Sequence, residues 1–172
     1  MERSLTVLLP VRNVQSTLAA TAVEILEVVS ELTGRFELVI VDDGSSDATS
    51  EVAHELACSY PQIMAICHGR ALGRDAVIRT GLKQSTGEIV FVGDEDSGLA
   101  IDEMPAAWRA AIEGQPAPAR RPAPWPASSL RHPVDRPGYR LIDRRTVQEA
   151  RAWGKPDRPN YLAKLREFAM GE

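Results

Sequence analysis

The feature that most constrains this chain is a repeated unit in its first hundred residues: a short apolar run, a polar or glycine-bearing break, then a stretch with helical spacing. SLTVLLP is an apolar run ended by proline and reads as a buried strand. STLAATAVEILEVVSELTG follows, with Leu18, Ala22, Ile25, Leu26, Val29 and Leu32 on one helical stripe. Ser16 is placed to cap its start and Gly34 its end. FELVIV is the next strand, with the β-branched content of one covered on both faces. A helix is expected from Asp47 to Tyr60, with Val52, Ala53, Leu56 and Ala57 facing inward. QIMAICH is a third strand, GRDAVIRTGLKQS a third helix with Ala76, Ile78 and Leu82 apolar, and EIVFV a fourth strand after Gly87. Strand–helix alternation of this kind predicts an α/β fold: a mostly parallel twisted sheet with helices on both faces.

Beyond Asp96 the character changes. IDEMPAAWRAAIEG suits a helix with Pro105 in its first turn. Gln115 to Pro133 then carries six prolines, which forbid regular helix and central strand and predict an extended connector. Arg120, Arg121 and Trp125 make this connector a possible docking segment for a protein partner. Order is expected to return with a strand at Tyr139 to Ile142, a helix behind it, and a closing amphipathic helix bearing Tyr161, Leu162, Leu165 and Phe168 on one face. The expected organisation is a core over 1–114, a proline-rich linker over 115–137, and a strand–helix–helix segment over 138–172 packed on the core.

Bulk properties exclude some classes. A formal net charge of −4 over 172 residues argues against nucleic acid as the main partner. No stretch approaches the ~20 apolar residues of a membrane span, and the opening apolar run, broken by Pro10, is too short for a signal peptide. The chain therefore reads as a cytoplasmic protein without an integral membrane segment. Cys58 and Cys67 lack metal-ligand spacing and read as two buried thiols.

In an open parallel sheet, ligands bind beyond the carboxyl ends of the strands. Strand one delivers Pro10, Arg12 and Asn13 there. Strand two delivers Asp42 and Asp43, strand three leads through His68 and Arg70 to Arg74, and strand four delivers Asp94, Glu95 and Asp96. Each piece has a plainer reading. Asp42 and Asp43 beside Gly44 suit a turn and helix cap, and VGDEDSG suits a solvated acidic turn as well as a Mg²⁺ or Mn²⁺ site. Jointly, two acidic loops and two arginines at one sheet edge suit a metal-bound diphosphate.

VLLPVRN, FELVIVDDGSSDATSEVA and ALGRDAVIRTGLKQSTGEIVFVGDED occur in the order and spacing of the family 2 glycosyltransferases, and the chain resembles that family, of the GT-A fold, over roughly residues 4 to 100. The resemblance implies a nucleotide-sugar donor (UDP- or GDP-linked), a Mn²⁺ or Mg²⁺ cofactor and an acceptor the sequence does not identify. It implies that Asp43 contacts base or ribose, with Pro10, Arg12 and Asn13 lining that pocket. Arg74 would lie near the diphosphate, and Asp94 and Asp96 would form the Asp-X-Asp metal pair, Asp94 also facing the nucleotide. Family enzymes carry a longer stretch after that motif, with the acceptor site and a carboxylate base. Here the corresponding stretch is short and proline-rich, DRPGYRLIDRRTVQEA resembles a late segment of polyprenyl-phosphate-using relatives, and Asp102 and Asp135 are weak candidates for the base. Two other readings stay open: a catalytically inactive GT-A-like module, and a nucleotidyltransferase-like nucleotide binder. No glycine-rich phosphate loop of the P-loop or dinucleotide type is present.

Overall fold

A computed structural model describes residues 3–93, 101–113 and 139–143. In chain order the elements are β1 (Leu5–Val11), α1 (Leu18–Leu32), β2 (Phe36–Asp42), α2 (Thr49–Ser59), β3 (Ile63–Cys67), α3 (Arg74–Gln84), β4 (Ile89–Gly93), a 3-10 turn (Ile101–Glu103), α4 (Met104–Glu113) and β5 (Tyr139–Asp143). The sheet order is β3-β2-β1-β4-β5. The first four strands run parallel, and β5 pairs antiparallel to β4 with Gly93 opposite Tyr139. The α/β architecture read from the alternation is the one observed.

Alternation along each strand divides the core into two layers. Leu5, Val7, Leu9 and Val11 of β1 meet Leu18, Ala22, Ile25 and Val29 of α1, with Ala53 and Leu56 of α2 and Met104, Ala107 and Trp108 of α4 on the same side. Leu8, Val39, Val41, Val90 and Val92 point the other way, onto Val77 of α3. Chain direction explains this split. The sheet grows from β1 to β3 on one side, then crosses back to β4, and a right-handed crossover must then use the opposite face. The reversal leaves β1 and β4 adjacent, the kind of switch point at whose carboxyl ends open α/β sheets bind ligands.

Several local expectations are corrected. β1 does not end at Pro10 but runs to Val11. The proline is tolerated in a central strand because β1–β4 pairing stops at Leu8 and Val92, so the missing N–H falls beyond the ladder. α1 starts after Thr17 and stops before Thr33, not at Ser16 and Gly34, and neither end uses a side-chain cap of its own. Instead, the Thr33 hydroxyl donates to the carbonyl of Arg3, tying the helix end to the strand entry. The inward stripe of α3 is Val77 and Gly81, with Ile78 and Leu82 on its flanks. Gly81 is small because the Leu8 side chain fills the space its Cβ would take. α3 ends at Gln84 rather than Gly87. Gly87 instead lets the chain lie against β1, where a Cβ would come 2.6 Å from the backbone nitrogen of Thr6.

The two cysteines are exposed, not buried. Cys58 falls off the Ala53–Leu56 stripe of α2, and Cys67 ends the edge strand β3. Burial first, then the charges of Asp42 and Glu51, hold the Cys67 thiol above its ordinary pKa.

The proline-rich linker, the two helices expected after residue 143, Asp94, Asp96 and Asp135 lie outside the described residues. Among the described residues no helix is long and apolar enough to cross a membrane.

Candidate functional site

The register sets Val11, Asp42 and Cys67 abreast, so the loops after β1, β2 and β3 leave the sheet side by side. The first two are braced together. Asn13 takes a left-handed backbone conformation (φ 52°), which Asn tolerates better than most residues. Its N–H donates to the Ser45 hydroxyl at 2.8 Å, and its side-chain oxygen accepts from the Ser46 N–H at 2.8 Å and the Ser46 hydroxyl at 3.2 Å. Val14 N–H donates to the Thr49 hydroxyl at 2.8 Å. Ala48 N–H donates to the Gln15 side chain at 2.8 Å, so the first loop helps satisfy the open amino end of α2. Asp42 is buried, and its carboxylate accepts from both the N–H and the hydroxyl of Ser45.

Asp43 points to the third loop. Its Oδ1 accepts from the Leu72 N–H at 2.8 Å and from Nδ1–H of His68 at 3.0 Å, and its Oδ2 from the Gly73 N–H at 2.8 Å. An ionised carboxylate has about four acceptor positions, so three are taken within the fold. The side chain is only 3% exposed. Burial is the largest single influence on its pKa and pushes it up. The bonds from Leu72, His68 and Gly73 together outweigh burial and hold it below the ordinary value. Gly73 has φ 88°, a conformation open to glycine, and flanks the amino end of α3. Arg74 follows, half-buried, in the first turn of that helix.

The remaining candidates are more open. Pro10 is buried in β1, Arg12 is exposed on the loop behind it, and Asp102 is exposed in the 3-10 turn. Open hollows of about 370 and 400 Å³ lie at the opposite edge of the sheet, along Phe36, Tyr60 and Gln62, and contain none of these polar loops. The distinctive surface is therefore the braced polar rim. Among the described residues no three His, Cys, Asp or Glu side chains converge as a metal shell. The chain leaves β4 at Gly93, directly before Asp94.

The family model described as "Glycosyl transferase family 2" matches residues 6–167. The chain belongs to glycosyl transferase family 2. Its similarity to undecaprenyl-phosphate 4-deoxy-4-formamido-L-arabinose transferase of Photorhabdus laumondii is 30% identity over 114 residues, 65% of this chain and 35% of that protein. A dolichyl-phosphate beta-glucosyltransferase of Trichomonas vaginalis is 34% identical over 69 residues, 40% of this chain and 20% of that protein. The chain thus spans about a third or less of these curated relatives. Glucosyl-3-phosphoglycerate synthase from Mycobacterium tuberculosis, solved with Mn²⁺, UDP and phosphoglyceric acid, shares the fold. The TM-score is 0.52 at 23% identity, over 66% of this chain and 40% of that one.

Within this family 2 domain, the structure brings Asn13, Asp43 and Arg74 to one edge with Pro10 and Arg12. Sequence reading left unassigned the partners that organise that edge: Ser45, Ser46, Thr49, His68 and Thr80. The DDGSSD segment signalled polar loop chemistry. Nothing local signalled that its hydroxyls would be spent on a neighbouring loop some thirty residues away.

Proposed function

We propose that this chain binds a UDP- or GDP-linked sugar at the carboxyl edge of its sheet, together with Mn²⁺ or Mg²⁺, and transfers the sugar to an acceptor. The observation that carries the reading is the bracing of the loops after β1, β2 and β3 into one polar rim beside the end of β4. Such a rim is preorganised, so little ordering remains to be done when a ligand arrives.

Pro10 and Arg12 form the wall for the base, and the exposed Arg12 guanidinium stacks on it. Asn13 and the remaining acceptor position of Asp43 face base or ribose. Arg74, at the amino end of α3, lies toward the diphosphate, where helix amides also favour anions. Asp94 and Asp96 are hard oxygen donors suited to Mn²⁺ or Mg²⁺, and would hold the ion. When bound, the ion neutralises charge on the departing nucleoside diphosphate. The activities for which the bacterial and protist relatives are named, on undecaprenyl and dolichyl phosphates, support an acceptor that is already an ionised phosphate. Such an acceptor needs no strong base, which leaves Asp102 and Asp135 subordinate.

Calorimetry with UDP and GDP, with and without Mn²⁺, tests the reading. Binding of one nucleotide that strengthens with Mn²⁺, and loses that gain in Asp96→Ala, is the expected result. No binding of either nucleotide in Mn²⁺ would overturn it.

A second reading, a binding module without catalysis, is favoured by the internal commitment of Asp43. Metal-dependent release of free sugar from a UDP- or GDP-sugar would reject it.

A further inference from the structure

We infer that His68 is a positioning residue for this edge: it fixes Asp43 in the orientation that pins the 69–73 loop, and so sets where Arg70 and Arg74 stand. The inference rests on the nucleotide-sugar reading for its purpose, but its geometry stands apart from that reading.

The imidazole is largely buried, at 9% side-chain exposure, yet neither ring nitrogen is idle. Nδ1–H donates to Asp43 at the end of β2, and Nε2 lies 3.0 Å from the Thr80 hydroxyl in α3. Thr80 is two turns along the helix that the 69–73 loop feeds. The ring therefore joins the strand before the site to the helix after it, spanning the loop from both ends. Asp43 completes the clasp by accepting the Leu72 and Gly73 amides. On the other side the loop backbone rests against Gly44, where no Cβ fits. Without the imidazole, Asp43 would keep two amide bonds but lose its side-chain partner among the described residues and part of its cover. Its carboxylate would then be free to turn toward solvent, releasing the loop that carries Arg70 and leads into Arg74. A buried imidazole needs partners for both nitrogens, and here the two partners, Asp43 and Thr80, lie on the elements before and after the loop.

The test uses the full chain and two readouts: amide hydrogen exchange by NMR, and titration with UDP and GDP in Mn²⁺. In His68→Ala the Leu72 and Gly73 amides are expected to exchange at least about tenfold faster while β1 and β2 amides keep their protection. The nucleotide Kd is expected to rise about tenfold, equivalent to about 1.4 kcal/mol. His68→Asn, whose side-chain N–H can replace Nδ1–H, should restore most of both. Should His68→Ala not fold, Thr80→Val cuts the bridge at its α3 end and should show the same pattern with smaller shifts. Unchanged Leu72 and Gly73 protection in the variant that folds would overturn the inference. So would equal behaviour of His68→Ala and His68→Asn, or a freed loop with unaltered nucleotide affinity. If the wild-type chain binds neither UDP nor GDP, the functional reading falls, and the exchange data still decide whether the clasp exists.

Discussion

The backbone of Arg70 crosses directly over Gly44: a Cβ on Gly44 would lie 2.7 Å from the Arg70 Cα and 2.6 Å from the Ala71 nitrogen. Gly44 also holds φ 66°, a left-handed conformation that costs other residues roughly 1–2 kcal/mol. Gly44→Ala meets both penalties, and the obstructing atoms are backbone, which cannot rotate away. The expected loss is at least about 2 kcal/mol by urea denaturation. Faster exchange at Leu72 and Gly73 should accompany it, because the loop must lift to admit the methyl group.

Asn13 allows the separation of a backbone role from a side-chain role. Asn13→Gly keeps the left-handed conformation and loses only the bonds from Ser46, whereas Asn13→Ala loses both. Thermal denaturation should rank wild type above Gly and Gly above Ala, with Ala lower than wild type by about 1–2 kcal/mol. Equal stability of the two variants would show that the strained backbone is not retained in solution.

Glu37 is expected to make the fold acid-sensitive from the far edge of the sheet. It accepts from the Thr6 hydroxyl at 2.6 Å, from the N–H and hydroxyl of Thr86, and from the Gly87 N–H at 3.2 Å. Burial raises its pKa most, but these bonds together hold it below the ordinary 4.5. A lowered folded-state pKa gives stability that is full above the unfolded value and is lost as pH falls through the folded one. Glu37→Gln should therefore cost about 1–2 kcal/mol at pH 7. The gap to wild type should narrow only below about pH 4.5, as urea midpoints across pH will show. Asp43, also lowered from its ordinary 3.8, adds a second loss further into acid.

Cys67 should be a slow nucleophile despite its exposure. Its thiol is held above the ordinary 9.0, by burial first and then by Asp42 and Glu51. Only the thiolate reacts. In a Cys58→Ser background, alkylation by iodoacetamide should keep accelerating above pH 9, and Glu51→Gln should shift that profile to lower pH. A rate that levels off below pH 9 would contradict the electrostatics.

What was legible in the sequence follows from how far each signal reaches along the chain. The apolar runs and the α1 and α2 stripes were readable because burial repeats every two or every three to four residues. The α3 stripe was harder: Ala76, Val77 and Ile78 are consecutive, and its other inward position is a glycine whose role is to be absent. The acidic strand ends could be located, but not the partners of Asp43. His68 and Leu72 reach it across about thirty residues, and no local period encodes such a pairing. Exposure of the cysteines was missed for a related reason: Cys67 belongs to an apolar run, but only the strand order reveals that this run lies at the sheet's edge.

The antiparallel pairing of β5 with β4 has a consequence for how the chain tolerates change. β5 returns to the sheet only after the whole interval from Gly93 to Tyr139. Within that interval α4 is itself held in the core through Met104, Ala107 and Trp108. Trimming the interval through α4 would therefore remove buried side chains as well as shorten the return to Tyr139. The separation also acts on rate, since pairings distant in sequence form slowly. The strands from β1 to β4 should be assembled before β5 docks, which makes this last ladder the step most exposed to competition from another chain's strand.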